Sequence, residues 1–340
     1  MMLVTFLFLG AQSTLGTFEF DVVAKLNGNQ EVAGDPKITA QHWGYVYRFS
    51  SEANRKAFLA DPDRYEVQLG GACGRMSELS GLGRTDLFAT VEGKLYIFAS
   101  EGCRKTFLSA PNEFLENDVP TPRITSAAAQ AGKVILDRLV NATGGKAAWR
   151  KLGNVKQEFF ERPTFGDKTY DHRLTSYFGK DGSYYRLDDW GSSAYGHGVR
   201  SGVGFFDTSG KFERPMHPQQ VRATERERNH SFITAMRAAL GGAVVAGNGS
   251  DVTVYFDNSA VTLNASKDGK PIGMSYLGRD GSARVAPIKL SFTSFQTVAG
   301  VRLPNGWSAT ANGKPDQGLP RKGMKYEVAA DVPFLSENAR

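Results

Sequence analysis

The 340-residue chain reads as an α+β protein, with two small strand-helix modules followed by an antiparallel sheet with packed helices. Three observations predict this. Residues 44–65 and 93–114 repeat one text at a constant offset of 49, with ten of 22 positions identical. An amphipathic helical stretch follows at 128–142. From Val155 onward, strand-like runs alternate with short turn signals, as in an antiparallel meander.

Each copy of the repeat opens with an aromatic strand, Tyr45–Phe49 or Lys94–Phe98, whose side chains alternate with period two. Ser51 and Ser100 follow as helix N-caps, with Glu52 and Glu101 in the first turn, where the helix dipole favours a carboxylate. Helices over 51–59 and 100–108 direct Phe58 and Phe107 to the core. Both end before Pro62 or Pro111, because the residue preceding proline resists helical geometry. A unit of about 45 residues is hard to stabilise alone, so two copies are expected to share a core.

Residues 116–130, rich in proline, acids and small polar residues, read as a linker centred on 119–127. The helix at 128–142 presents Val134, Ile135, Leu136, Leu139 and Val140, and Asn141–Gly145 is its C-cap signal. Trp149 and Leu152 mark a further short helical turn. Hairpins are expected around Lys180-Asp181-Gly182 and Asp257-Asn258, with later strands at 272–277, 288–295 and 301–303. One helix near 226–240 interrupts them.

An apolar fraction of 41% and a charged fraction of 22% describe a globular protein, neither disordered nor membrane-spanning. The net charge of +6 favours anionic surfaces, but the basic residues are scattered, so nucleic acid is not the expected partner. The apolar run Met2–Ala11 is too short to span a bilayer and fits the core of a secretory signal, with Ala11-Gln12-Ser13 as cleavage site. The expected organisation is a signal at 1–18, modules at 19–68 and 69–118, a linker at 119–127 and a sheet domain at 128–335. Export to the periplasm or beyond would permit the single disulfide that two cysteines allow.

The repeat resembles the YHS domain family and its metal-binding TRASH relatives. The residues that carry the likeness are Gly71-Ala72-Cys73-Gly74, the run Leu95-Tyr96-Ile97-Phe98-Ala99-Ser100-Glu101-Gly102-Cys103, then Phe107, Pro111 and Phe114. The middle cysteine of the family pattern is Ala99, and the constant offset sets Ala24 against Cys73 and Asn54 against Cys103. The resemblance implies a soft-metal site, taking zinc or copper, with Cys73 and Cys103 as ligands. Residues 128–335 resemble the periplasmic lipoprotein carriers of the LolA/LolB type. The likeness rests on Ala142-Thr143-Gly144-Gly145 with Trp149 and Leu152, on Gly269-Lys270-Pro271-Ile272, and on Gly300-Val301-Arg302-Leu303-Pro304. It implies a curved antiparallel sheet cupping an apolar cavity, and a periplasmic location.

Cys103 falls in a first helical turn beside Arg104 and Lys105, which favours thiolate, and Cys73 lies in a glycine-lined turn. Two thiolates supply half of a tetrahedral zinc site, or a linear Cu(I) site. A structural disulfide leads over the metal site, and inert buried thiols remain a third reading. The five histidines (His42, His172, His197, His217, His230) show no metal-ligand spacing within one element. His172 and Asp171 offer an acid/base pair, but adjacent strand residues point to opposite faces, so surface placement is expected. No nucleophile elbow, HExxH or phosphate loop is present. The aromatics Phe159, Phe160, Phe165, Tyr184, Trp190, Phe205, Phe206, Phe292 and Phe295 would line a cavity or simply fill the core, and core is the better reading for any one of them. The leading expectation is a non-enzymatic exported protein whose sheet binds an apolar or amphiphilic small molecule or lipid, with modules for contacts or soft metal. The alternatives are a metal or thiol-redox module on Cys73 and Cys103, and a hydrolase built on His172 and Asp171.

Overall fold

A computed structural model describes residues 14–208, 211–319 and 321–333. The chain divides into two units, Met1–Pro111 and Asn112–Arg340. Unit 1 runs β1 (Gly16–Asp21), α1 (Val22–Gly28), β2 (Asp35–His42), β3 (Tyr45–Phe49), α2 (Glu52–Ala60), α3 (Pro62–Tyr65), β4 (Arg84–Val91), β5 (Lys94–Phe98) and α4 (Glu101–Ser109). Hairpins β2–β3 and β4–β5 keep the 49-residue offset to the residue, including a bulge at the same place in each. Their two-residue turns, Trp43-Gly44 and Glu92-Gly93, have positive φ at both positions, the geometry that matches strand twist. Ser51 and Ser100 each accept a hydrogen bond, at 3.2 Å, from the backbone N–H three residues on. Ion pairs Glu52–Arg55 and Glu101–Arg104 repeat in the same way.

The two copies pack differently. In β3 only alternate residues are buried, and Tyr45, Tyr47 and Phe49 join Phe18 and Phe58 in an aromatic core. In β5, Leu95, Tyr96, Ile97 and Phe98 are all buried. Leu95 and Ile97 enter the first copy's core, while Tyr96 and Phe98 pack on Phe107 at 5.1 and 5.3 Å. Burying a side chain of this size contributes roughly 1.5–3 kcal/mol, so this sharing is what makes two small copies stable together.

The signal expected at 1–18 reaches too far. Phe18, on β1, is fully buried, so residues 16–18 belong to the fold. Met2–Ala11 and the cleavage site lie outside the described residues.

Unit 2 begins with residues anchored to it. Val119 N–H bonds to the Asn258 carbonyl at 3.1 Å, and the Asp118 carboxylate pairs with Arg222 and Arg226. Then come α5 (Ser126–Ala142) and α6 (Gly145–Lys151). The junction needs glycine, because Gly144 has φ +114° and a Cβ there would sit 2.1 Å from the Gly300 carbonyl oxygen. On α5, Val134 is exposed, whereas Ile135, Leu136, Leu139 and Val140 are buried.

A first seven-stranded antiparallel sheet contains β6 (Asn154–Glu161), β9 (His172–Phe178), β10 (Tyr184–Asp189), β11 (Ala194–Arg200), β12 (Val203–Thr208), β13 (Lys211–Pro215) and β21 (Lys325–Ala329), in the order β13-β12-β11-β10-β9-β6-β21. A small hairpin, β7 (Thr164–Phe165) and β8 (Lys168–Thr169), lies between β6 and β9. The second sheet is a seven-stranded meander in chain order: β14 (Val245–Asn248), β15 (Asp251–Tyr255), β16 (Ala260–Ala265), β17 (Pro271–Arg279), β18 (Val285–Val298), β19 (Val301–Ala311) and β20 (Lys314–Pro315). Both sheets share one core with α5 and the helices between them.

The single helix expected near 226–240 is two helices, α7 (Pro218–Asn229) and α8 (Phe232–Leu240). Pro218 starts α7 at a position where its missing N–H costs nothing, and His217 caps it. Ser231 breaks the run by capping α8 through the Thr234 N–H, leaving buried Asn229 bonded to Asn258 and Ser259.

Candidate functional site

Strand parity decides which side chains of the first sheet face inward. Phe178, Tyr184 and Val199 are cross-strand neighbours on the core side. Two residues further along the same parity stand Ser176, Arg186 and His197, and two further again Leu174, Asp188 and Tyr195. The inward face is therefore apolar at one end and charged at the other.

α7 packs over this face on β11 and β12 and contributes Glu227. Its carboxylate pairs with Arg186 and lies 2.6 Å from His197 Nε2. Burial alone would raise the Glu227 carboxyl, but Arg186 and His197 hold it below the ordinary carboxylate range. Further along, His172 lies 2.9 Å from Glu161 through Nδ1 and 2.7 Å from Asp188 through Nε2, with Trp190 stacked on the ring at 3.9 Å. Arg321 spreads its guanidinium over Phe159 at 4.9 Å, and burial, reinforced by Arg186, lowers its pKa. From the second sheet Tyr276 stacks on His230 at 4.1 Å. Burial, then Arg226, lowers the His230 ring to about 3.

The interior thus gathers guanidiniums, carboxylates and imidazoles from several elements. The side chains of Arg186 and Glu227 keep 30% and 23% of their surface accessible despite facing inward. Partly buried Leu174, Tyr276, Phe292 and Trp307 pack against the adjoining core and supply apolar wall.

Several expectations are corrected here. His172 is buried, not at the surface, and Asp171 points the other way to pair with Arg162 at 2.8 Å. Both His172 nitrogens lie against carboxylates, Glu161 and Asp188, so neither points towards open space as the alternative hydrolase reading would need. Of the candidate cavity aromatics, Phe160 is exposed and Phe205 belongs to an outer cluster with Tyr185 and Val332. Sequence reasoning missed Arg186, Asp188, His197 and Glu227. For Arg186, Asp188 and His197 the available signal was polar residues on the buried parity of their strands, in phase with Tyr184 and Val199, whereas Glu227 lies on α7 and has no strand parity.

In unit 1 the structure brings Cys73 and Cys103 together. The thiols are close enough for Cys103 to influence Cys73, with Cys73 buried and Cys103 partly so. In this structure the pair stands as two unbridged thiols. Burial raises the Cys73 thiol, although the Ala99 N–H donates to its sulfur at 3.4 Å. Among the described residues, no third His, Cys, Asp or Glu forms a metal-ligand group with them.

The first copy holds an acid in the same place. Asp21 pairs in parallel with Arg48, and Cys73 with Ile97, 49 residues later. Asp21 N–H donates to Val32, and Cys73 N–H to Gly81, again 49 apart. Asp21 Oδ2 accepts from Ser50 N–H and Asn54 Nδ2, both at 2.7 Å, and Ala99 and Cys103 are the residues 49 on. Cys73 therefore corresponds to Asp21, not to Ala24. These bonds overcome the effect of burial and lower the Asp21 carboxyl.

No protein-family model and no curated protein matches this chain. Among solved structures, a DUF1329 family protein from Desulfovibrio piger is similar with 12% identity and a TM-score of 0.33, over 60% of this chain and 95% of that one. The LolA superfamily protein NE2245 from Nitrosomonas europaea is similar with 10% identity and a TM-score of 0.31, over 60% and 95%. A putative outer membrane lipoprotein-sorting protein domain from Vibrio parahaemolyticus gives 9% identity and a TM-score of 0.28, over 62% and 94%. Overlap at this level assigns neither function nor ligand. No helix among the described residues is long and apolar enough to cross a membrane.

Proposed function

We propose that the chain is an exported, non-enzymatic binding protein whose second unit holds an amphiphilic small molecule between its two sheets. One observation carries the reading: inward-facing charged side chains stay accessible beside partly buried Leu174, Tyr276, Phe292 and Trp307. A packed core would exclude such charges. The mixture of guanidiniums and carboxylates suits a zwitterionic head group, with Arg186 and Arg321 facing its anion and Asp188, Glu161 and Glu227 its cation. The acyl or aromatic part would lie along the apolar wall. Organic extraction of the purified full chain followed by mass spectrometry tests this. A stoichiometric zwitterionic amphiphile is expected, and a protein that neither carries nor takes up any amphiphile contradicts it. Export rests on the Met2–Ala11 run, and N-terminal sequencing of the protein recovered from periplasm or medium tests it.

A second reading attaches to unit 1, because the Cys73 and Cys103 thiols meet at the position where the first copy stabilises an anion. That favours a YHS-like module holding a soft ion such as Cu(I), or a reversible dithiol. Cu(I) competition titration of the reduced chain against a Cys73→Ser variant separates this from two inert thiols. Equal affinity for both would retire it.

A further inference from the structure

We propose that unit 1 carries a divalent-cation site of the zinc class at His42, Asp63 and Glu66, formed without either cysteine. One ligand atom from each of the three residues lies within 4.8 Å of the other two. His42 ends β2, and its ring is held edge-on by Phe58 at 5.9 Å and Trp43 at 6.2 Å. Asp63 lies in α3 and Glu66 is its C-cap three residues on, with its N–H bonded to the Pro62 carbonyl. Glu66 is buried at 5% exposure, with Oε2 2.9 Å from His42 Nε2, while Asp63 stands exposed at the rim.

The spacing suits a metal. With zinc-to-ligand distances of about 2.0–2.2 Å, atoms around one ion stand roughly 3–4 Å apart, so a small inward rotation of Asp63 completes the set. One imidazole and two carboxylates match a borderline ion, whereas Cu(I) seeks sulfur. A recess beside His42 is lined by Thr14, Gln41, Trp43 and Gly44.

The packing of the module does not itself require these residues. At the 49-residue offset the second copy has Val91, Asn112 and Leu115, none of them a ligand. The first copy, which lacks thiols, has an oxygen-nitrogen ligand set where the second copy has none. The second copy, which has the thiols, lacks that set. The two copies thus offer donor sets for different metals.

The test uses the full chain with both cysteines replaced, C73S/C103S, titrated with Co2+ and then Zn2+. One equivalent should bind, with the visible spectrum of nitrogen-oxygen coordination and no sulfur charge-transfer band. Glu66→Gln in that background should weaken binding by at least about tenfold, since even an outer partner of a metal ligand is worth that much. His42→Gln, at a ring with 22% of its surface accessible, gives the same readout should Glu66→Gln perturb folding by circular dichroism. Absence of stoichiometric binding by C73S/C103S, or unchanged affinity in a folded Glu66→Gln or His42→Gln variant, would overturn the assignment.

Discussion

Replacing Glu227 with glutamine removes the carboxylate that Arg186 and His197 share while keeping its shape. The variant leaves Arg186 facing inward with Asp188, 3.4 Å away, as its remaining carboxylate. Removing one member of a fully buried pair costs about 3–5 kcal/mol. Here the partners keep 30% and 23% of their side-chain surface, so a loss of about 2–3 kcal/mol is expected after discounting for residual solvation. In a domain the size of unit 2 that corresponds to roughly 4–12 °C in Tm. The loss should also depend on pH. The Glu227 carboxyl is held below its ordinary value of 4.5 in the folded protein, so the unfolded chain binds more protons. Its contribution is complete above that value and disappears as pH falls towards the folded one. Urea unfolding of both proteins, followed by circular dichroism from about pH 7 to pH 3, should show the gap narrowing as acid is added. A paired Arg186→Met, Glu227→Leu variant should recover part of the stability, because the Arg186 charge is then no longer left without Glu227. A difference below about 0.5 kcal/mol at pH 7 would refute the network as described, since ordinary surface substitutions reach that size.

Further outcomes follow from the same geometry. Asp21→Ala strips Val23, Ala24, Ser50 and Asn54 of one acceptor. It should cost unit 1 about 2–4 kcal/mol, a helix cap plus stranded buried donors, measured by urea unfolding. Because the Asp21 carboxyl is lowered from 3.8, its contribution should be full at neutral pH and lost as pH falls below that value. With a thiol-reactive dye, Cys103 should label quickly and Cys73 only on unfolding, since burial both shields it and raises its pKa. The His230 ring should stay neutral, its NMR signals unshifted between about pH 8 and pH 4, and titrate only below that.

The repeat was legible because its shared residues perform local tasks. Ser51 and Ser100 cap, Phe58 and Phe107 pack, and the glycines at 44 and 93 take left-handed turns, so one text yields one structure twice. The match between Asp21 and Cys73 was not legible. The chain after Asp21 forms α1, while the chain after Cys73 turns tightly through Met76–Ser80, and a 3-10 turn with Leu69 and Gly70 at positive φ precedes Cys73. These shift the offset from 49 to 52 where the chemistry lies. The hairpins of unit 2 followed from their turn residues, but the charged interior did not. Arg186, His197 and Glu227 meet only through the register of β10 with β11 and the placement of α7. The helix break at His230-Ser231 was hidden because Ser231 serves as an N-cap inside an otherwise continuous helical pattern.

The most direct measurement is an equilibrium titration of the full chain with a short-chain zwitterionic phospholipid below its micelle-forming concentration, followed by tryptophan fluorescence. Two variants on neighbouring strands of one sheet frame it: Leu174→Glu on the inner face and Phe160→Glu on the outer. The account predicts saturable binding of one equivalent that Leu174→Glu abolishes and Phe160→Glu leaves unchanged. No saturable binding to the unaltered chain, or equal sensitivity to the two substitutions, would contradict an interior amphiphile site.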